Sequence, residues 1–366
     1  MIDLPWKPDP DYHRLLNALC RQGDPNHITW LELFADPEIT RAVLEEPVAL
    51  TKEKIKDRVT LNEWIDQKIR FWYRLGYDAF WLGPNLTWPG LHSLAAQDSA
   101  VLSRGMRTWV NEKAGRITNW EEFEQYPWPT FLDVDFYPLE YASQRLPEGM
   151  AIIAQISGIL EPVMWLMGYE TFAMAIYTQP DLVEAMFIRI SEICLPVACA
   201  LVEANGVVAL WMGDDMGYKT GIMISLKHLR QYVFPIQKQI VEIAHAKGLP
   251  FLLHSCGNLD LVMQDLIETV GIDAKHSFED VIEPVERFCE RFGKRIAVIG
   301  GVDIDILARG TEAQVRARTR QILEVCAPSR SYILGSGNSI ANYIPPCNFL
   351  AMLDEGYRYN NAMKAF

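Results

Sequence analysis

The sequence PFLLHSCG at residues 250–257 joins a short apolar run to a polar segment that ends in glycine. The sequence VVALWMGDD at residues 207–215 has the same form, and AIIAQI at residues 151–156 is a third apolar run. Nearly continuous apolar runs of this length are typical of parallel strands that are buried on both faces of a sheet. They therefore predict an α/β fold in which helices cover a parallel sheet.

Similar segments recur along the whole chain and alternate with longer amphipathic stretches. We predict strands at residues 28–34, 78–82, 150–156, 207–212, 250–253, 272–275, 295–299 and 331–334. This repetition predicts a single (β/α)8 barrel domain over residues 1–366, with an elaborated loop at 83–149 after the second strand. A doubly wound open sheet is the alternative, but no G-x-G-x-x-G motif follows any of these strands.

Composition narrows the class of protein. A net charge of −13 counts against a nucleic-acid partner, because binding to phosphate backbones needs a basic face. No run approaches the roughly 18 apolar residues that cross a bilayer. The N-terminus lacks the basic start and apolar stretch of a signal peptide. Seven scattered cysteines do not resemble a disulfide framework, so we expect a reduced, cytoplasmic protein.

The segment after the fifth predicted strand has the side chains of a metal site. Residues at the C-terminal ends of barrel strands line the active site, and His254 and Cys256 lie at such an end. Alternate side chains of an extended segment point the same way, and imidazole and thiolate are both strong zinc ligands. We therefore predict a zinc centre here. The alternative is a core histidine beside a buried cysteine.

A catalytic zinc needs a third protein ligand and one open position. Cys347, just past the eighth predicted strand, is the thiol candidate for this ligand. His276 and Glu279, after the sixth predicted strand, are the alternatives. We expect the other cysteines, which lie in helical stretches, to be packing residues.

Further polar and aromatic residues are candidates for the reaction itself. Asp214 and Asp215 follow a strand and could bind substrate, orient a metal ligand or relay a proton, as could His276. A capped surface loop is the alternative for the two aspartates. The substrate-binding candidates are four aromatic residues and one amide, namely Trp81, Trp165, Trp211, Tyr218 and Asn338. For each aromatic residue, packing in the core or at the barrel rim is the alternative.

Several segments together resemble the uroporphyrinogen decarboxylase superfamily over nearly the whole chain. They are GRITNWEEFEQYPWP (115–129), GDDMGYKTGIMIS (213–225), LLHSCGNLDLVMQDLIE (252–268), HSFEDVIEPVE (276–286), IAVIGGVDIDIL (296–307) and GSGNSIANYIPPCNFLAMLDEGYRY (335–359). The resemblance implies a (β/α)8 barrel. Porphyrin decarboxylases of this superfamily carry an N-terminal R-Q-A-G-R signature, which the matching residues 21–34, RQGDPNHITWLELF, lack.

The other main branch comprises corrinoid-dependent methyltransferases, which bind zinc through H-x-C and a later cysteine. His254 and Cys256 match the first two ligands, whereas Asn338 stands where the third is expected and Cys347 follows about nine residues later. The resemblance implies a zinc-dependent methyltransferase that moves a methyl group between a small methylated substrate, such as a methoxyaromatic, and the cobalamin of a separate corrinoid protein. It also implies a homodimer.

Two other functions stay open at this point. One is a metal-independent decarboxylase in which Asp215 is the acid/base group. The other is a non-catalytic zinc-binding or corrinoid-partner scaffold, which predicts a closed four-ligand site and no turnover.

Overall fold

The computed structural model describes residues 4–46, 51 and 55–364. Its strands are β1 (Ala79–Leu82), β2 (Ser93–Gln97), β3 (Met106–Val110), β4 (Ala151–Ile156), β5 (Val207–Gly213), β6 (Gly217–Tyr218), β7 (Gly221–Ile222), β8 (Phe251–His254), β9 (Ala274–His276), β10 (Ala297–Ile299) and β11 (Tyr332–Ile333).

Most α-helices lie in the segments that connect successive strands of the sheet. They are α1 (Tyr12–Leu19), α2 (Pro37–Leu44), α3 (Arg58–Arg74), α4 (Trp120–Gln125), α5 (Tyr137–Ser143), α6 (Leu160–Met167), α7 (Tyr169–Thr178), α8 (Pro180–Leu201), α9 (Leu226–His228), α10 (Phe234–Ala246), α11 (Met263–Asp265), α12 (Val285–Phe292), α13 (Ile304–Arg309), α14 (Glu312–Cys326) and α15 (Pro346–Lys364). Short 3-10 turns lie at Phe131–Asp133, Asp260–Val262 and Ala327–Ser329, and π-helical turns at Leu229–Val233 and Leu266–Val270.

Seven strands form one curled parallel sheet in the order β1-β4-β5-β8-β9-β10-β11. This confirms the α/β class and the parallel sheet. The first predicted strand differs, because within the described residues it pairs through one isolated bridge, between Trp30 and Leu334, with a second bridge just after it between Ala35 and Ile340. Its backbone is partly bound by a side chain instead: Asn360 of α15 accepts from the Ile28 N–H at 2.7 Å and donates to the Ile28 carbonyl at 2.8 Å.

The apolar side chains of the sheet divide between its two faces. One face and α1 share a buried cluster of alanine, leucine and isoleucine residues, in which Trp211 is the largest side chain. The opposite face packs against the helices in a much larger cluster. Alternate residues of a strand enter each cluster because successive side chains point to opposite faces. Polar residues at and beyond the carboxyl ends of the strands are therefore what remains available for chemistry.

An antiparallel hairpin, β2–β3, lies between β1 and β4. Its turn is tied to segments that flank the ends of the sheet. The Arg104 guanidinium lies 2.8 Å from carboxylate oxygens of both Asp36 and Glu38, and the Asn342 amide donates to Asp98 at 2.6 Å. These contacts fix the turn of the hairpin beside the C-terminal side of the sheet.

Candidate metal centre

Three neighbouring strands bring the predicted polar residues to one edge of the sheet. In the register of the sheet, Gly213 of β5 pairs with His254 of β8, and His254 pairs with His276 of β9. Asp215 lies two residues beyond Gly213, and Cys256 two residues beyond His254. The carboxyl ends of parallel strands meet at one edge, which is where α/β proteins place their ligands.

The ligand atoms of Asp215, His254 and Cys256 all lie within 4.8 Å of one another. Nε2 of His254 is 3.4 Å from the Cys256 sulfur and 3.7 Å from Oδ1 of Asp215. Zinc bonds of about 2.0–2.3 Å in a tetrahedron place neighbouring ligand atoms about 3.3–3.8 Å apart. These two distances and this nitrogen, sulfur and oxygen donor set therefore fit zinc.

The structure does not bring Cys347 to this group. Its side chain is exposed at the start of α15, and its sulfur lies 4.0 Å from the amide oxygen of the adjacent Asn348. The Asn348 amide holds this end of the helix by donating to the carbonyls of Leu307 and Gly310. Within the described chain, Asp215 is the third donor of the group.

Three neighbours surround the donors. The Asn338 amide donates to the Cys256 sulfur at 3.3 Å, and the Ser277 hydroxyl donates to it at 3.5 Å. His276 contacts the opposite side of His254, with Nδ1 of one ring 2.7 Å from Nδ1 of the other. Asn338 and His276 thus lie beside the site, but neither belongs to the group of donors.

Burial sets the protonation of the donors in the absence of a cation. It raises the pKa of the Cys256 thiol to about 12, with a further increase from the Asp215 charge. It lowers the pKa of the His254 imidazole, although Asp215 acts in the opposite direction. Both groups are therefore neutral at pH 7. A bound cation would stabilise the thiolate, so metal binding would release a proton.

The two adjacent aspartates have different surroundings. Asp214 is fully buried and accepts from the backbone N–H groups of Leu160 and Glu161 at 2.9 and 3.0 Å, and from the Gln237 amide at 2.8 Å. It thereby binds the N-terminal end of α6. Asp215 is partly exposed and accepts from the Cys256 backbone N–H at 2.8 Å. The geometry gives Asp214 a structural role and leaves Asp215 for chemistry.

The aromatic candidates are dispersed. Trp211 is fully buried, and its ring packs edge-on against the His276 ring with the two centroids 5.3 Å apart. It therefore contacts a neighbour of the site and is not available to substrate. Trp165 is half-buried against the helical core, and Trp81 has the Lys68 ammonium 5.3 Å from its ring centroid. Tyr218 is 47% exposed beyond the end of β5. Of the four, Tyr218 is the most exposed.

Sequence reasoning missed Lys275 and Ser277. Lys275 is 4% exposed, its ammonium binds the Ser277 carbonyl, and the Phe278 ring centroid lies 4.2 Å away. Ser277 has a positive φ of 88°, which is uncommon for a residue with a side chain and often marks functional sites. Both residues line a cavity of about 200 Å³ that also includes Gly257. A lysine within a buried strand was the available signal in the sequence.

The family model for uroporphyrinogen decarboxylase (URO-D) matches residues 116–359. The chain belongs to the URO-D family. Among solved structures, this URO-D protein is similar to a methyltransferase from Methanosarcina mazei, with 18% identity, coverage of 94% of this chain and 98% of the other, and a TM-score of 0.66. At this identity the likeness establishes the fold.

A second solved structure is more distant. It is a putative vitamin-B12 independent methionine synthase from Listeria monocytogenes, with 13% identity, coverage of 92% of this chain and 96% of the other, and a TM-score of 0.45. No curated protein matches the sequence. Among residues 4–46, 51 and 55–364, no helix has both the length and the apolar composition of a membrane span.

Proposed function

We propose that this URO-D protein is a zinc-dependent methyltransferase. It moves a methyl group between a small methylated substrate, best represented by a methoxyaromatic, and the cobalamin of a separate corrinoid protein. One observation carries the proposal, namely the donor group of Asp215, His254 and Cys256 at the carboxyl ends of β5 and β8. Membership of the URO-D family and the fold shared with a methyltransferase support it.

The three donors would hold the ion and leave one coordination position for substrate. Zinc in this site would supply a Lewis acid for the heteroatom that bears the methyl group. The Asn338 amide and the Ser277 hydroxyl donate to the Cys256 sulfur and would stabilise its thiolate form when the ion is bound. Tyr218, exposed beyond β5, would contact the substrate.

Glu161 is a candidate proton donor for the leaving group. Burial and the charges of Asp215 and Asp214 raise its pKa to about 9. The side chain therefore keeps its proton at neutral pH, as a general acid must.

The proposal includes the location of the protein, its domain organisation and its partner. We place the protein in the cytoplasm as one barrel domain that forms a homodimer. The corrinoid protein would dock at the carboxyl edge of the sheet, because the donor group lies at that edge.

Elemental analysis of the purified protein tests the metal centre. We expect about one zinc per chain in the wild type and in Cys347→Ala, with loss of zinc in Cys256→Ala and Asp215→Ala. Cys347→Ala is the matched control, since it removes a thiol outside the donor group. Loss of zinc in Cys347→Ala would contradict the ligand set.

Methyl transfer is then assayed with the zinc-loaded wild type, methoxyaromatic donors and reduced cobalamin, free or on a corrinoid protein. The visible spectrum of cobalamin should change with the donor present and stay constant in Cys256→Ala. Absence of metal after metal-replete expression would favour the metal-independent decarboxylase, with Asp215 as acid/base group. Bound zinc with four protein ligands and no turnover would favour the scaffold.

A further inference from the structure

His254 and His276 face each other through the same ring nitrogen. Their Nδ1 atoms are 2.7 Å apart, and the ring centroids are 5.0 Å apart. Both side chains are buried, and the parallel pairing of β8 with β9 places the two residues side by side. A hydrogen bond between two nitrogens needs one proton, so one imidazole donates and the other accepts.

The position of that proton decides which atom of His254 can bind a metal. A proton on Nδ1 of His276 makes His254 the acceptor, and the neutral His254 then carries its own proton on Nε2. That proton faces Asp215 and Cys256 and blocks the nitrogen. A proton on Nδ1 of His254 leaves the Nε2 lone pair free, at 3.4 Å from the Cys256 sulfur and 3.7 Å from the Asp215 carboxylate.

The surroundings of His276 hold its ring in place. The Trp211 ring packs edge-on against it. Its Nε2 is buried without a hydrogen bond of standard geometry, and the backbone of Ser336 is the polar group beside it.

Gly300 is the third neighbour that contacts the His276 ring. Its φ is +83°, and a Cβ there would lie 2.2 Å from the Ser336 carbonyl oxygen and 3.2 Å from Nε2 of His276. A side chain at this position would displace the imidazole or the carbonyl. The glycine therefore allows the His276 ring to occupy the space beneath His254.

We propose that His276 is a positioning residue for the metal centre, whose Nδ1 accepts the proton of His254 Nδ1 and thereby presents Nε2 of His254 to the ion. The inference rests on the metal centre of the proposed function but not on methyl transfer. Partners behind a metal-bound histidine commonly contribute about 10–100-fold to metal affinity. His276 would fill this role with an imidazole, where a carboxylate or backbone carbonyl is the usual acceptor.

Two variants of similar size separate the hydrogen bond that His276 accepts from the packing of its ring. The side-chain oxygen of His276→Asn can take the place of Nδ1 as acceptor, whereas His276→Leu fills the space without an acceptor. The zinc Kd is measured by competition with a chromophoric chelator. We expect His276→Asn to stay within about 3-fold of the wild type and His276→Leu to bind about 10–100-fold more weakly. Equal affinities for wild type, Asn and Leu proteins would overturn the inference.

Imidazole ¹⁵N NMR of the zinc-loaded wild type gives a second test that needs no variant. We expect His254 to carry its proton on Nδ1 and His276 on Nε2. A zinc-loaded protein in which His254 binds through Nδ1 would overturn the inference even if His276→Leu failed to fold.

The outcomes separate the two proposals. Zinc affinities in the expected order, without methyl transfer to cobalamin, would remove the proposed function and keep the positioning role. Equal zinc affinities together with active methyl transfer would remove the positioning role and keep the proposed function. A wild type that binds no zinc would remove both.

Discussion

Glu32 is a carboxylic acid almost fully enclosed by protein. Its carboxyl group accepts from the Ser336 backbone N–H at 2.8 Å and from the Ser336 hydroxyl at 2.5 Å. Burial raises its pKa from 4.5 to about 8, against the lowering effect of these hydrogen bonds. The folded state therefore binds a proton that the unfolded state loses above pH 4.5. The stability that protonated Glu32 contributes to the folded state is therefore fully present below pH 4.5. It is lost as the pH rises to about 8.

Glu32→Gln should reduce that loss. The amide oxygen can still accept from Ser336, and the side chain stays neutral at every pH. We expect the free energy of unfolding of Glu32→Gln to exceed that of the wild type increasingly between pH 5 and pH 8, by about 2–4 kcal/mol at the upper end. Urea unfolding at several pH values measures this, with exposed Glu148→Gln as the control. A difference that is constant with pH would contradict the pKa of Glu32.

Two of the three donors of the candidate metal centre could be predicted from the sequence. His254 and Cys256 could be predicted because two residues of one extended segment have a fixed relation to each other. The third donor could not, because Asp215 and Cys347 lie on different elements. Their distances to His254 depend on how the segment after β5 and the start of α15 fold. Sequence spacing carries no information on either.

Helix α6 depends on an aspartate from another element. The Asp214 carboxylate accepts from the N–H groups of Leu160 and Glu161, which the first turn of a helix leaves unpaired. It also accepts from Gln237 of α10, so one side chain joins β5 to two helices. Asp214 is fully buried, and its loss would leave these donors without a partner.

Asp214→Ala should therefore destabilise the protein by about 2–4 kcal/mol, because buried unpaired donors are costly. Asp215→Ala is the neighbouring control and should change stability by about 1 kcal/mol or less in metal-free buffer, since it removes one hydrogen bond to the Cys256 backbone. Urea unfolding of both variants in the presence of a chelator makes the comparison. A similar loss in the two proteins would contradict the division of roles.

The strands could be predicted wherever both faces are buried. Apolar runs such as residues 151–156 and 251–253 coincide with β4 and β8, because burial on both faces requires continuous apolar sequence. Residues 28–34 are also apolar, yet they pair only through one isolated bridge in the described structure. The reason is long-range, since the Ile28 backbone bonds to Asn360, which lies 332 residues away. Local pattern cannot register such a contact.

The first and last parts of the chain meet along this segment. Asn360 binds both backbone groups of Ile28, the Leu31 N–H donates to the Leu334 carbonyl at 2.9 Å, and the Asn342 N–H donates to the Asp36 carboxylate at 2.9 Å. These contacts join the N-terminal segment to the last strand and to α15. The two side-chain bonds of Asn360 thus add to the few backbone bonds that residues 28–34 make with the rest of the protein.

Asn360→Ala should loosen this junction more than it disturbs the rest of the sheet. Loss of the amide leaves the Ile28 N–H and carbonyl unpaired, which costs about 1–3 kcal/mol for each buried group. We expect amide hydrogen exchange measured by mass spectrometry to accelerate at residues 28–34, with little change in β4 and β5. The adjacent Asn361→Ala is the control, because that side chain is exposed. Uniform acceleration across the sheet would instead mean that the junction and the sheet open as one cooperative unit.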